Sequence, residues 1–466
     1  MNRTRKLVSN AGILWVGTFA SKILVFLLMP FYTAWLTTGE FGAAEVITSL
    51  SNFLIPLAAV GVSTGVFRFA AERESDKRAV FSSSVALLFL GLGAFLVLSP
   101  LLLLIDYCRD YVYLVVLYVF FADLQAVVSQ YLRAIDRTAL FAGQGILNTA
   151  LTILFNVLFL FFFDMGVTGY VLSVVIGNAL TTLFMVAKAR LWRVFSLSAI
   201  DKSLMWELLR FSLPLIPTTV CWLVTDLSDR AMVTYFWGEE LNGVYSAAYK
   251  IPTVVNLVAG VFLQAWQFSA ISESDDREEC SRFYSSVFSS FLSVVMIGSA
   301  GLILLSRHLT FLFLNRAYWG ASSYMPVLLC AVAAEAVVSF LASVYLVKKK
   351  SGHSFFTALI GALSNVVMNL ILIPLIGPIG AAIATCASYL LVMAVRLLDV
   401  RRILPFRYPL LRLLSSLVLL GAAAVIMTLE LPLMYLWTAL CVLMILLVNA
   451  RGLLAGVRAV IGKGTL

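Results

Sequence analysis

The sequence predicts an all-α polytopic membrane protein of about 14 transmembrane helices. They are arranged as two six-helix lobes related by a pseudo-two-fold repeat, plus two C-terminal helices. Three observations carry this. Hydrophobic residues make up 62% of the 466-residue chain and charged residues only 12%, against roughly 25% charged in soluble domains. Apolar runs of about 20 residues, the length needed to cross a bilayer, recur along the whole chain. Basic residues gather in alternate connections between the runs.

Taken in order, the runs centre near Lys22, Ile55, Leu92, Phe121, Leu151, Ile176, Leu223, Asn256, Val294, Val337, Asn365, Ser388, Leu417 and Leu443. The first follows MNRTRKLVSN directly, with no short h-region or small-residue cleavage site, so it reads as a span rather than a removed signal peptide. With the N-terminus inside, Arg3, Arg5, Lys6, Arg73, Lys77, Arg78, Arg133, Arg137, Lys188, Arg190, Arg193 and Lys202 face the cytoplasm. The same side holds Arg277, Arg282, Lys348, Lys349, Lys350, Arg401, Arg402, Arg407, Arg412, Arg451 and Arg458, whereas the outer loops offer Arg109, Arg307 and Arg316. This is the positive-inside pattern, and it places both termini in the cytoplasm. It also accounts for the net charge of +9, which meets anionic lipid headgroups and calls for no nucleic-acid partner. The six cysteines are scattered, without a CxxC pair, so neither a disulfide framework nor a metal site is expected.

An internal repeat is visible. Gly42 and Gly243 stand 201 residues apart, as do Phe67 and Phe268; Tyr131 and Phe141 match Tyr345 and Phe355 at an offset of 214; Gly166 and Gly169 match Gly377 and Gly380 at 211. Six helices per half keep the halves parallel, related by an axis along the membrane normal. The expected organisation is an N-lobe over 1–190, a cytoplasmic linker over 191–207, a C-lobe over 208–403, and a C-terminal pair with its tail over 404–466. No loop is long enough for an extramembrane catalytic domain.

Ionisable residues deep in apolar runs are costly and mark cavities, relays or ligand sites by default. At about 1.5 Å per residue, Lys22 lies roughly 20 Å from the cytoplasmic side, Asp226 roughly 22 Å, Lys250 roughly 10 Å from the outer side, and Asp123 and Glu335 roughly 18 Å. Opposite charges in one depth band point to a hydrated, balanced cavity. Asp229 and Arg230 sit one turn nearer the outside, and Arg68 at the cytoplasmic end of its run. Asp226 and Arg230 are four apart and face the same way, so they either pair with each other or work a gate.

Uncharged polar residues form stripes at helical spacing: Tyr245, Tyr249, Asn256 and Gln264 on one run, Asn148 and Asn156 on a second, Asn365 and Asn369 on a third. They line a polar pathway or hydrogen-bond neighbouring helices. Pro30 and the Pro214/Pro217 pair fall in the first helix of each half, where a proline permits a bend and suits a gate. No GxxxxGK[ST] loop is present for a nucleotide engine, and no HExxH or Cys/His cluster for metal chemistry. The chain is read as a transporter rather than an enzyme, with no cofactor.

Leu213-Pro214-Leu215, Ser228-Asp229-Arg230 and Gly243-Val-Tyr245-Ser-Ala-Ala-Tyr249-Lys250-Ile-Pro252 resemble the signature of the polysaccharide-transporter family. So do Asn10, Lys22, Pro30 and the Gly39-Glu-Phe-Gly42 turn. That family holds O-antigen and capsule repeat-unit flippases, in the superfamily of the multidrug and toxin extrusion exporters and the lipid II flippase. The resemblance implies translocation of an undecaprenyl-pyrophosphate-linked oligosaccharide to the outer leaflet of the bacterial cytoplasmic membrane, by alternating access and driven by an ion gradient. It implies pyrophosphate contacts from Lys22, Lys250, Arg230 and Arg68, sugar contacts from the polar stripes, and coupling or gating by Asp123, Asp226, Asp229 and Glu335. The last two helices would border a groove for the polyprenyl tail. Membrane lipids, and glycosyltransferases and a polymerase of the same pathway, are the expected partners. A lipid II-type precursor flippase and a multidrug exporter of the same fold are the alternatives.

Overall fold

A computed structural model of the chain describes residues 28–72, 75–272, 277–348, 350–404, 406 and 408–461. They form helices, with no strand among the described residues. Eleven helical spans are long and apolar enough to cross a membrane, or twelve if the bent pair Lys202–Ser212 and Ile216–Trp237 forms one span. The chain is a multi-pass membrane protein. Each of these spans coincides with an apolar run of the sequence. The run centred on Lys22 lies outside the described residues, and the helix through Asn256, Thr253–Ser272, is not among the spans. Eleven to twelve, rather than fourteen, is the number the described residues support.

The chain divides into two compact units, Met1–Arg230 and Ala231–Leu466. The first contains α1 (Met29–Trp35), α2 (Thr38–Ala58), α3 (Val62–Ala70), α4 (Lys77–Leu98), α5 (Val112–Ala134), α6 (Thr138–Asn156), α7 (Gly166–Ala189) and α8 (Lys202–Ser212), and most of α9 (Ile216–Trp237). A capping box starts α2: Thr37 accepts from the Glu40 amide, and the Glu40 carboxylate accepts from the Thr37 amide, satisfying two amide donors at once. α4 is capped by Asp76, whose carboxylate accepts from the amides of Arg78 and Ala79. The connection after α7 is tied down, because the buried Ser82 and Ser83 hydroxyls accept from the amides of Ser196 and Asp201 at 3.0 and 2.9 Å.

The expected helix break is present. α8 and α9 meet at 50° across Leu213–Leu215, with Pro214 at the break. Proline removes a helical donor and clashes with the preceding turn, and Gly61 and Gly65 of the adjoining α3 segment leave space for Ser212, Leu208 and Ile216. Pro30 stands in the first turn of α1, a position that tolerates it.

The second unit holds the end of α9 and α10 (Glu239–Lys250), α11 (Thr253–Ser272), α12 (Arg277–Phe313), α13 (Met325–Val347), α14 (Ser351–Ile376), α15 (Pro378–Ile403), α16 (Leu410–Thr428) and α17 (Met434–Ile461). α13 is its centre. It is apolar apart from Glu335 and two serines, and 72% of its most apolar window is buried, as expected of a helix enclosed by neighbours. α16 and α17 pack on each other and on α12. The single run read through Lys250 and Asn256 is broken: α10 ends at Lys250 and α11 starts at Thr253, with Pro252 between.

The repeat is visible in the glycines. Gly166 and Gly377 both take positive φ (49° and 74°) at the corner between two helices, a conformation that suits glycine. Three residues later, Gly169 and Gly380 both lie against the preceding segment; a Cβ at Gly380 would sit 2.6 Å from the Leu372 carbonyl. Gly380→Ala is therefore expected to destabilise the protein by about 1–3 kcal/mol. Gly301→Ala, where nothing lies within 4 Å, should be neutral or slightly stabilising. Thermal unfolding of the detergent-solubilised protein compares the two.

Candidate functional site

The densest polar arrangement in the first unit is built around Glu45. On α2, Glu45, Ser49 and Asn52 recur at four- and three-residue spacing and so share a face. Glu45 is 3% exposed. Its carboxylate accepts from the Tyr170 hydroxyl of α7 at 3.1 Å and lies 3.6 Å from the Arg230 Nε of α9. Arg230 also donates to the Asp226 carboxylate and to the Asp226 main-chain carbonyl, and the Ser49 hydroxyl donates to Asp226 at 3.3 Å. Tyr118 of α5 donates to Asn52 at 3.4 Å. Tyr32 of α1 meets Tyr170 edge-on, with ring centroids 5.1 Å apart, and accepts from Asn156 at 2.9 Å. Phenols from α1, α5 and α7, the Arg230 guanidinium and the Glu45 and Asp226 carboxylates form one cluster, in which burial leaves Glu45 and Arg230 dependent on each other.

The structure pairs Asp226 with Arg230, as their spacing allowed, and adds Glu45 as a buried counter-charge that sequence reasoning missed. The signal was the Glu45–Ser49–Asn52 stripe within an apolar run; its closeness to Gly39–Gly42, read as a turn but in fact the start of α2, disguised it. Asp229 is also buried. Asp123 is 1% exposed with its Oδ2 outside any described hydrogen bond, and no described bond joins it to the Glu45 cluster. Arg68 is exposed and paired with Glu72 at 3.0 Å.

In the second unit the structure brings together two residues singled out separately: Asn256 donates to Glu335 at 2.7 Å. Tyr245 is fully buried, its ring 6.4 Å from those of Tyr249 and Tyr324. Lys250 is half-buried at the last position of α10. The amide stripes are engaged within each unit. Asn148 donates to Asn178 at 3.2 Å and Asn365 to Thr385 at 3.1 Å, the interhelical pattern usual for amides in membranes, while Asn369 donates to Asn365 of its own helix at 3.0 Å. Lys22 lies outside the described residues, as does the side chain of Gln264.

Arg396 of α15 was missed altogether. It is 1% exposed, donates to the Thr357 hydroxyl at 2.9 Å and the Val338 carbonyl at 2.8 Å, and lies over the Tyr345 ring. Tyr345 donates to Asp399 at 2.7 Å, which also faces His353. Among the described residues, no group of three or more His, Cys, Asp or Glu is placed to hold a metal ion. An apolar groove of about 660 Å³ runs between α11 and α12 and reaches α17, lined by Val258, Phe262, Val294, Leu302 and Gly452 among others.

Residues 7–274 match the family described as polysaccharide biosynthesis protein. The chain belongs to that family. No curated protein sequence matches it. Its fold is that of the lipid II flippase MurJ in an inward closed conformation, at TM-score 0.71 and 17% identity over 96% of this chain and 99% of that one. It is also that of the MATE multidrug transporter DinF-BH, at TM-score 0.63 and 18% identity over 87% and 98%. An inward-facing multidrug resistance MATE transporter follows at TM-score 0.60 and 16% identity over 84% and 93%. At these identities the likeness is one of fold. This member of the polysaccharide biosynthesis family thus carries its buried ion pairs in a fold shared by flippases and exporters.

Proposed function

We propose that the protein flips a polyprenyl-pyrophosphate-linked oligosaccharide, of the O-antigen or capsule repeat-unit type, from the cytoplasmic to the outer leaflet of a bacterial cytoplasmic membrane. The observation that carries this reading is the polysaccharide biosynthesis family match on a chain whose described residues are membrane helices joined by short connections. A lipid-linked saccharide is membrane-borne, and the apolar groove between α11 and α12 is a surface on which a polyprenyl tail can lie.

The two lobes alternate access, with both termini in the cytoplasm. Lys250 and Lys22 supply cationic contacts to the pyrophosphate, and Arg68 a first contact at the inner surface. Arg230, engaged by Glu45 and Asp226, works as a latch that releases to the pyrophosphate or closes without it. Asp123, Asp229 and Glu335 serve ion coupling or gating, and Tyr249 and Asn256 face the sugar. Pathway glycosyltransferases and a polymerase act before and after this step. A lipid II-type precursor is the second reading, favoured by the fold match that extends over 96% of the chain.

The test is translocation of a fluorescent lipid-pyrophosphate-saccharide in proteoliposomes, run beside a peptidoglycan precursor. Lys250→Ala should slow transport roughly 10- to 100-fold, the loss of one charge-assisted contact. Parent-like transport by both Lys250→Ala and Lys22→Ala would sink the pyrophosphate roles. Transport of the peptidoglycan precursor alone would replace the first reading by the second.

A further inference from the structure

The first turns of α4 mark a membrane boundary. Lys77 and Arg78 open the helix, Ser82, Ser83 and Ser84 follow, and no charged residue occurs from Val85 to Leu104. That apolar segment covers roughly 30 Å, the thickness of the hydrocarbon core, so the three serines lie at the level of the headgroups. There the hydroxyls of Ser82 and Ser83 hold the amides of Ser196 and Asp201. The connection from α7 to α8 is thereby fixed at headgroup level, on the side to which the sequence assigns the basic loops.

The composition of that connection suits its place. Lys188, Arg190, Arg193, Lys202 and Arg210 stand against Asp201 and Glu207 between positions 188 and 210. None of these five cations forms an ion pair among the described residues. The Asp201 carboxylate is engaged at the start of α8, where it accepts from the Ser203 amide at 2.8 Å. Trp192 and Trp206 are both more than half exposed, and tryptophan favours the membrane–water interface.

On the core side of this fastening a crevice of about 570 Å³ opens between α4 and the start of α8, lined by Ala86, Phe89, Leu90, Ile200, Lys202 and Met205. The three residues from α4 fall within the first two turns of the apolar segment, so the crevice enters the hydrocarbon. Lys202 is the one cation of the lining, is itself exposed, and adjoins the Asp201 amide that Ser83 holds. An ammonium at headgroup depth, set in the wall of an apolar crevice, is complementary to a lipid with an anionic head.

We propose that this crevice binds an anionic phospholipid of the inner leaflet. The Lys202 ammonium contacts the lipid phosphate, and an acyl chain lies against Phe89, Leu90 and Met205. Arg190 and Arg193 add to the field that gathers anionic lipid at this surface. The occupant is a lipid rather than free phosphate, because every other lining residue is apolar and a bare anion would shed water for a single contact. The site belongs to the first unit and does not depend on the flippase reading. It ties α8, the arm that precedes the break at Pro214, to the composition of the inner leaflet.

Delipidated full-length protein in detergent is titrated with phosphatidylglycerol or with phosphatidylcholine and read by native mass spectrometry. The parent should hold phosphatidylglycerol more tightly. Lys202→Gln should weaken that binding roughly three- to tenfold, the worth of one basic residue at an anionic surface, and leave phosphatidylcholine binding unchanged. Leu90→Trp, which narrows the crevice from an exposed position, should weaken both. Arg210→Gln removes an exposed charge outside the crevice lining and should change neither. Lys202→Arg keeps the charge and should keep the preference, which separates a lost contact from a damaged fold. Parent-like binding of phosphatidylglycerol by Lys202→Gln would overturn the site. So would an equal loss from Arg210→Gln, which means diffuse attraction, or displacement of the lipid by inorganic phosphate.

Discussion

Arg230→Ala is expected to lower folding stability by about 3–5 kcal/mol, the usual cost of leaving a buried charge without its partner. Glu45 is the group left behind: its side chain is 4% exposed and that of Arg230 8%, so water does not replace the guanidinium. Glu45→Gln should cost less, because an amide still accepts from Tyr170. Joined in one chain, the two substitutions should cost less than their sum, with a coupling of about 0.5–3 kcal/mol. Asp226→Asn should matter least, since that carboxylate is 41% exposed and solvent screens its interaction. Denaturant unfolding of the four purified variants gives the cycle, and strictly additive costs would show that Glu45 and Arg230 do not act together.

Arg396→Ala should cost a comparable amount, about 3–5 kcal/mol, from two hydrogen bonds made by a charged donor and the cavity left in a closely packed region. The side chain ties three helices: its own α15, Thr357 of α14, and the Val338 carbonyl and Tyr345 ring of α13. Arg396→Lys should recover less than half, because an ammonium is a point charge and does not span two acceptors held by a rigid fork. Expression level and unfolding temperature report the effect. A fully stable lysine variant would show that charge alone, and not the fork, is what this position requires.

What the sequence made legible follows from how local each signal is. Eleven or twelve of the apolar runs, the break at Pro214 and the paired glycines at Gly166/Gly169 and Gly377/Gly380 are written within a few residues, and these appear in the structure. The Asp226–Arg230 pair is one helical turn and was visible for the same reason. Glu45 meets Tyr170 across 125 residues and Arg230 across 185, and no spacing rule reaches so far. The amide stripes show the limit differently. Spacing put Asn365 and Asn369 on one face, but it did not reveal that Thr385 of the next helix occupies that face. Arg412 was counted among the basic loop residues, since the donation of its guanidinium to Ser289 leaves no trace in a charge tally.

The hydroxyls of Ser82 and Ser83, which hold the amides of Ser196 and Asp201, bear on how the protein is made. The stretch after α7 is fastened back onto α4, a helix inserted more than a hundred residues earlier in synthesis. Until the ribosome has delivered residue 201, those two hydroxyls have no such acceptor role to fill, and the amides that complete the first half do not yet exist. The fastening of this stretch onto α4 is therefore complete only once Asp201 has been made, not at the end of α7. A chain divided at residue 190 to co-express the halves would separate this connection from its anchorage, whereas a division beyond Asp201 would keep it with the half that holds it.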